Sequence, residues 1–224
     1  MSDEPDEKLH PLVTTDIALF CVDGPALRVL LTRRGNAPER GRWALPGGFL
    51  RPAEDETLDH AARRVLREKA GVDVPHLEQV RVFSGRARDA RGWSLSLLYF
   101  ALLPKSRVPA VATGKTVAVD WADPAAPGRR LAFDHGTMLA TALEALREKV
   151  RDRVLPLQLL GERFTLTELQ RACEAVLGAP LDKGAFRRRL KNREGRDFVA
   201  LPGEFETGRQ RPAQYYRAAE DFGF

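Results

Sequence analysis

Acidic and basic side chains that could handle a diphosphate follow a double glycine in the segment 43–72. The segment reads WALPGGFLRPAEDETLDHAARRVLREKAGV, with Glu56 eight residues before Arg64 and Glu68 four residues after it. Carboxylates at helical spacing share one face of a helix, where they can hold a divalent metal against phosphate oxygens. These residue types are those of metal-dependent diphosphate hydrolysis.

Two positions of the same helical segment hold side chains that cannot bind such a metal. Val65 directly follows Arg64, and Lys69 directly follows Glu68. Valine cannot bind a metal, and the lysine ammonium would repel one. A lost metal removes several kcal/mol of charge neutralisation from the transition state. Because about 1.4 kcal/mol corresponds to tenfold in rate, we expect little or no hydrolysis and assign no catalytic residue.

Recognition of a diphosphate can survive the loss of turnover, because it needs only backbone amides, cationic side chains and a pocket. Trp43 could stack on an adenine, although packing in the core is an equal alternative. Glu56 and Glu68 are weak candidates for binding Mg²⁺, and we do not expect the metal to be required. The alternative is a displaced metal site formed by Glu54, Glu56 and Glu68. The predicted ligand-binding residues are Arg33, Arg34, Trp43, Gly47, Gly48, Arg51, Arg64 and Glu68.

The elements that must position these residues follow from apolar spacing. Residues 14–22 and 27–34 are apolar and β-branched around Asp23-Gly24-Pro25, which predicts a hairpin. Apolar residues at helical spacing predict an amphipathic helix over 57–70, ended by Gly71. A solvated helix with no ligand role is the alternative for this segment. Further strands are predicted at 79–84, 94–103 and 116–121, and a second helix at 134–151, giving an α/β (α+β) layered domain.

The C-terminal part carries an excess of positive charge. Residues 183–217 hold ten Lys or Arg against four Asp or Glu, within a chain whose formal net charge is +5. Such an excess favours an anionic partner, with a well-solvated surface as the alternative. A capping box at Thr165 and Glu168 predicts a helix to Leu177. A basic helix over 182–192 and strands at 198–201 and 213–217 complete the order of a winged helix-turn-helix.

The segment 43–72 resembles a Nudix box, in which a Gly, an early Glu and Arg-Glu-aliphatic-x-Glu-Glu-x-Gly-aliphatic follow at fixed spacing. Aligned on Gly71-Val72, the chain keeps Arg64, Leu66 and Glu68 and places Glu56 in the early position. The resemblance implies an N-terminal Nudix-like α/β/α sandwich with a mixed sheet.

A Nudix-like domain followed by a winged helix resembles the NrtR family of Nudix-related transcriptional regulators of NAD metabolism. The segments that carry the resemblance are GRWALPGGF, LAFDH, FTLTELQ, LDKGAFRRRL and RPAQYYR. The resemblance implies a cytoplasmic homodimer that represses genes of NAD synthesis or salvage from a double-stranded palindromic operator. It also implies ADP-ribose as the nucleotide effector that releases the DNA. Related branches sense other metabolites such as sugars.

In a winged helix of this kind, the recognition helix presents its N-terminal part to base edges. Gly184 would allow close approach, and Arg187 and Arg188 are candidates for bidentate contact with guanine. Arg189 lies on the flank, as a phosphate contact or as the partner of a carboxylate. The predicted DNA-binding residues are Thr165, Thr167, Lys183, Gly184, Arg187, Arg188, Arg189, Lys191, Arg209 and Arg211, and a solvated basic face is the alternative.

We predict three parts of the chain: a disordered acidic tail at 1–11, a Nudix-like effector-binding domain at 12–152 and a winged helix-turn-helix at 153–224. The longest apolar runs are far below the ~20 residues that a bilayer requires, so no membrane is expected. Cys21 and Cys173 are expected to be buried free thiols. An active ADP-ribose or nucleoside-diphosphate hydrolase and a nonspecific nucleic-acid binder are the competing functions. His135 could relay ligand state or only satisfy a hydrogen bond, and the loop 86–92 could contact ligand or a second subunit.

Overall fold

The computed structural model describes residues 10–108, 116–152, 156–206, 212–220 and 222. Within them, the N-terminal part is a sheet of seven strands between two helices, which confirms the predicted α/β/α sandwich. The strands are β1 Leu12–Asp23, β2 Ala26–Arg34, β3 Trp43–Ala44, β4 Gly47–Phe49, β5 Glu78–Gly85, β6 Ser94–Leu102 and β7 Thr116–Ala122, and the helices are α1 Leu58–Ala70 and α2 His135–Asp152.

The sheet is mixed, with the strand order β3-β2-β1-β6-β5, and β4 and β7 pair with β1 and β2. Strands β1 and β6 are parallel, whereas the other pairs are antiparallel. The predicted hairpin is confirmed, with Gly24 at φ +59° in its turn. The first half of β1 pairs with β4 and the second half with β2, so the double glycine is attached to the middle of the sheet.

Helix α1 covers one face of the sheet through a buried stripe that includes Ala62, Val65 and Leu66. It begins after Thr57, whose hydroxyl accepts a hydrogen bond from the His60 amide, and Gly71 ends it at φ +66°. The helix predicted from the apolar spacing is therefore confirmed to within one residue.

Helix α2 covers the opposite face, and its buried stripe belongs to a cluster that continues into the C-terminal part. Leu157, Phe164, Leu169 and Cys173 pack in the same cluster as residues of α2 and of the sheet. The winged helix is thus built directly onto the outer side of α2.

The winged helix consists of α3 Leu166–Leu177, α4 Lys183–Lys191 and a sheet in the order β8-β10-β9, with β8 Phe164–Thr165, β9 Phe198–Phe205 and β10 Gln214–Ala218. The capping box of Thr165 and Glu168 is confirmed. The prediction missed β8 and ended β9 four residues early, because residues 202–205 are exposed and show no alternation of apolar side chains. Within the part of the chain that the structure describes, no helix is long and apolar enough to cross a membrane.

Candidate ligand pocket and nucleic-acid interface

A cavity of about 800 Å³ opens where β1, β4 and α1 meet the loops after β2, β5 and β7. Seven of the predicted ligand-binding residues line it, together with residues from two loops that the prediction left open. The seven are Arg33, Arg34, Gly47, Gly48, Arg51, Arg64 and Glu68.

Trp43 is not among the residues that line the cavity. Its ring packs against the core cluster on the α2 face and lies under the Arg129 guanidinium, 4.8 Å from the ring centroid. This placement favours the packing alternative for Trp43 over the adenine-stacking role.

The double glycine is required by close approach of the backbone on both sides. A Cβ on Gly47 would overlap the Asp16 carboxylate, and a Cβ on Gly48 would lie 2.8 Å from Val65 Cγ2. Real Cβ atoms do not come so close to other heavy atoms. The glycines thus allow β4 to lie against both β1 and α1, and this floor of the cavity depends on their lack of side chains.

The wall formed by α1 contains two carboxylate–guanidinium pairs. Arg64 donates to both Asp55 oxygens, at 2.8 and 2.7 Å, and these hydrogen bonds hold the pKa of the nearly buried Asp55 below its usual range. Arg51 donates to both Glu68 oxygens, at 2.7 and 3.1 Å. Glu54 and Glu68 raise the pKa of Arg51. Both pairs are bidentate, which gives them fixed geometry.

The carboxylate bonded to Arg64 is Asp55, which lies between the two candidates Glu54 and Glu56 for the early position. The Glu56 side chain is 85% exposed, lies 3.9 Å from His60 and does not line the cavity. Glu54 accepts from Arg51 at 3.0 Å and is also largely exposed. The sequence analysis considered Glu56 and Glu54 for the early position and did not name Asp55 between them, because adjacent acidic residues in a loop offer equal matches.

The residues at this wall do not fit a divalent metal ion. Val65 is 1% exposed and packs in the apolar cluster beneath α1, in contact distance of Gly48. Both Glu68 oxygens accept hydrogen bonds from arginines, and Lys69 lines the cavity beside them. Across the described ranges, no group of three or more His, Cys, Asp or Glu is placed to hold a metal.

The loop 86–92 faces the cavity and ties it to the start of α2. Arg88 donates to both Asp134 oxygens, at 2.6 and 2.9 Å, and Arg91 pairs with Asp89 at 2.6 Å. Arg88, Asp89 and Arg91 all line the cavity. The sequence analysis left open whether this loop contacts a ligand or a second subunit. Its density of arginines is the feature of the sequence that indicates a ligand contact.

Asp16, Phe133 and His135 complete the inner end of the cavity. The His135 Nδ1 accepts a hydrogen bond from the Leu45 amide at 3.0 Å, and its Nε2 lies 3.6 Å from Asp16 Oδ1. Burial lowers the pKa of His135, against the opposing effect of Asp16. Phe133 adopts a positive φ of +52°, and its ring lies 4.6 Å from the Arg34 guanidinium carbon. A pocket of arginines beside aromatic and amide groups suits a diphosphate with an attached ring.

The second surface of interest is the outer face of α4. Lys183, Gly184, Arg188 and Lys191 are exposed, whereas Phe186 and Leu190 are buried and Arg187 is half-buried. The helix is capped by Asp182, whose carboxylate accepts from the Ala185 amide at 2.7 Å. A helix with a basic outer face of this kind can enter the major groove.

Other predicted DNA-binding residues lie elsewhere. Thr165 is buried, and its hydroxyl is used in the capping box, so its assignment as a DNA contact is wrong. Thr167 is half-buried in the first turn of α3. Arg209 and Arg211 fall outside the described residues.

Arg189 bonds to backbone carbonyls, which neither of its two predicted roles named. Its guanidinium donates to the Val150 carbonyl at 2.9 Å and to the Arg151 carbonyl at 3.2 Å. These carbonyls belong to the last turn of α2, where the helix dipole attracts positive charge. Arg189 therefore joins α4 to α2 and does not face the outer surface.

Comparison with known proteins matches both parts of the chain. Residues 13–142 match the model of the NUDIX domain, and residues 156–218 match that of the NrtR DNA-binding winged helix domain. The chain is 40% identical over 219 residues to the "ADPR responsive transcriptional repressor NtrR" of Acinetobacter baylyi, covering 96% of this chain and 85% of that relative.

Two solved structures of one protein are similar to this fold. The crystal structure of Shewanella oneidensis NrtR complexed with a 27mer DNA has a TM-score of 0.81 and 36% identity, over 92% of this chain and 93% of that one. The NUDIX domain of the same protein, complexed with ADP ribose, has a TM-score of 0.59 and 34% identity, over 65% of this chain and 99% of that one.

Proposed function

The chain belongs to the NrtR family of Nudix-related transcriptional regulators, and we propose that it is a repressor that binds operator DNA through α4 and releases it when ADP-ribose occupies the pocket. The regulated genes would be those of NAD synthesis or salvage, and the protein would act in the cytoplasm. The ligand, the DNA and the response are those that its relatives' descriptions name.

One observation carries the proposal: a cationic pocket and an exposed basic helix occur in one chain, at opposite ends of α2. Asp134 and His135 lie at the pocket end of this helix, and Arg189 of α4 is bonded to its other end. A purely catalytic Nudix domain has no use for the second surface, and a nonspecific DNA binder has no use for the pocket.

We propose that the diphosphate of ADP-ribose binds without a divalent metal. Arg33, Arg34 and Lys69 line the cavity alongside the paired arginines of its wall, so cationic side chains can balance the phosphate charges. The same arrangement disfavours hydrolysis, because nothing at the wall would generate a metal-bound hydroxide.

Release of DNA is the first test. A fluorescent duplex, selected from a random-sequence pool by the purified protein, is bound and then titrated with ADP-ribose while anisotropy is followed. We expect release at saturating ADP-ribose, and no release by AMP or glucose at equal concentration. Retention of the duplex at saturating ADP-ribose rejects this effector. Loss of preference for the selected duplex over a scrambled one would favour nonspecific binding.

Metal dependence and turnover are tested together. Calorimetric titration with ADP-ribose is performed in EDTA and in Mg²⁺, and the products of a prolonged incubation with Mg²⁺ are separated. We expect equal affinities and intact ADP-ribose. Formation of AMP and ribose phosphate at ordinary enzymatic rates would instead assign the chain to the hydrolases.

We further propose that the protein binds DNA as a homodimer, because paired winged helices match a palindromic operator with half-sites spaced by helical turns. Light scattering should give about twice the 25.0 kDa of one chain. A monomer that binds a single half-site with full affinity contradicts this part of the proposal.

A further inference from the structure

The start of α2 is attached to the ligand pocket by two separate groups. Arg88, which lines the cavity, donates to both Asp134 oxygens immediately before the helix. His135, its first residue, accepts from the Leu45 amide, two residues before the double glycine. A ligand that draws Arg88 toward a phosphate, or that moves the backbone around Leu45, therefore acts directly on the start of α2.

Two arginines bond the other end of α2 to the winged helix, one from α4 and one from α2 itself. Arg189 of α4 donates to the carbonyls of Val150 and Arg151 at the end of α2. Arg147 of α2 donates to the Val176 carbonyl at the end of α3, at 3.1 Å. Each contact places a cation at a helix C-terminus, where the exposed carbonyls and the dipole favour it.

Helix α2 is well suited to move as one piece between these attachments. It has 18 residues and so spans about 27 Å. Its apolar stripe, which includes Met138, Ala142 and Leu146, is buried along its length. A small tilt at the pocket end therefore displaces the far end rather than being absorbed by bending.

We propose that Arg189 is a positioning residue through which α2 sets the orientation of the recognition helix. The inference rests on the proposed function, because it assigns the route by which pocket occupancy reaches the DNA. Two of the five guanidinium donors of Arg189 bond carbonyls of α2, and these bonds hold its side chain against the end of that helix. Arg189 thus transmits the response of the protein to its ligand, while its neighbour Arg188, exposed on the same helix, contributes to DNA affinity.

The matched pair Arg189→Gln and Arg188→Gln separates these roles, because both variants lose one positive charge from the same helix. For each protein, three quantities are measured: the Kd for the selected duplex with and without saturating ADP-ribose, the Kd for ADP-ribose, and the slope of log affinity for DNA against log salt. The ratio of the two DNA constants is the coupling factor, which is typically about 5- to 150-fold in allosteric proteins.

We expect Arg189→Gln to keep the affinity for ADP-ribose and the wild-type salt slope, while its coupling factor falls toward 1. We expect Arg188→Gln to keep the wild-type coupling factor, while its DNA affinity falls and its salt slope decreases by about one. Arg189→Lys keeps the charge but not the planar pair of donors, and it replaces Arg189→Gln if that variant does not fold. Its coupling factor should lie between the wild-type value and 1.

The outcomes distinguish the inference from its premise. If ADP-ribose does not release DNA from the wild-type protein, the proposed function fails, and this inference fails with it. If the wild-type protein responds and Arg189→Gln responds equally, only the role of Arg189 is rejected. A salt slope reduced in Arg189→Gln as much as in Arg188→Gln overturns the inference too, because it would make Arg189 a phosphate contact.

Discussion

The ion pair of Asp55 and Arg64 lies in the wall of the pocket that α1 forms. The Asp55 side chain is 1% exposed, and Arg64 also donates to the Phe49 carbonyl at 2.9 Å, so the pair fixes the chain between β4 and α1. Removing one partner of an enclosed pair leaves the other charge poorly compensated, which costs more than the loss of a surface pair.

We expect Asp55→Asn to lower the free energy of unfolding by about 1–3 kcal/mol, less than for a fully buried pair because Arg64 keeps Glu68 and Phe49 as partners. Urea denaturation followed by circular dichroism measures the change. Glu56→Gln, next to it in sequence and exposed, is the control and should change stability by less than about 0.5 kcal/mol. Equal effects of the two substitutions would contradict a stabilising role for the pair of Asp55 and Arg64.

The lowered pKa of His135 makes the stability of the folded protein depend on pH. Burial keeps the imidazole neutral in the folded state, whereas in the unfolded chain it takes up a proton near its ordinary pKa of 6.5. The unfolded state therefore binds more protons below that pH. The stabilising contribution is complete above about pH 6.5 and is lost as the pH falls below it.

We expect the free energy of unfolding to decrease between about pH 7 and pH 5.5, and to decrease less in His135→Asn, which can still accept from the Leu45 amide. Denaturation curves at several pH values measure both slopes. The Asp55 pair does not interfere in this window, because its hydrogen bonds to Arg64 hold the pKa of Asp55 below its usual, already acidic range. Parallel slopes for the two proteins would mean that His135 is not the titrating group.

Residue roles were predictable from the sequence only where the chemistry is local. Four arginines, two glycines and Glu68 follow from their types and spacing, and all seven line one cavity. The role of Arg189 could not be predicted, because its carbonyl partners lie 38 and 39 residues away along the chain. The same holds for Arg88, whose partner Asp134 is 46 residues away.

At the scale of elements, the helices α1 and α3 were predictable because each carries its own start and stop signals. Thr57 and Gly71 bound the first, and Thr165 and Gly178 bound the second. Strand β8 and the end of β9 were not predictable. Strand β8 has only two residues, which make no periodic pattern, and the exposed end of β9 is a strand only because it pairs with its partner strand.

Helix α4 carries a glycine that its own packing does not require. A Cβ on Gly184 would meet Asp182 Oδ1 at 3.4 Å and Arg188 Nη1 at 3.6 Å, which are tolerable contacts with flexible side chains. Alanine should therefore fit the folded protein and favour the helix by up to about 1 kcal/mol. We propose that the glycine serves close approach of the DNA to this helix.

We expect Gly184→Ala to weaken binding of the selected duplex about tenfold, equivalent to ~1.4 kcal/mol, without lowering the melting temperature. Anisotropy and thermal denaturation measure the two effects. Gly136→Ala is the matched control, because Gly136 is exposed in the first turn of α2 and a Cβ there meets nothing within 4 Å. If both variants bind the duplex as the wild type does, α4 does not approach the DNA at Gly184.

At the scale of the whole molecule, the two domains share one apolar cluster. Leu169 of α3 is fully buried in the cluster that also contains the stripe of α2 and part of the sheet. All three tryptophans, Trp43, Trp93 and Trp121, lie in the N-terminal domain, so their fluorescence reports only on that domain.

We expect Leu169→Ala to destabilise the protein by about 2–5 kcal/mol and to lower the tryptophan-detected midpoint together with the circular-dichroism midpoint. The reason is that the winged helix and the Nudix domain unfold together when they share a core. Urea titrations with both probes measure the two midpoints. An unchanged tryptophan midpoint beside a lowered circular-dichroism midpoint would show that the domains unfold independently.

The close packing of Val65 beside Gly48 bears on any attempt to install a metal site in this pocket. A glutamate introduced at position 65 would occupy an apolar site, beside an ammonium at position 69 and a neighbour, Glu68, that Arg51 already holds. Val65→Glu is therefore expected to lose stability without gaining affinity for a metal. A single substitution at this position should not confer hydrolysis on the chain.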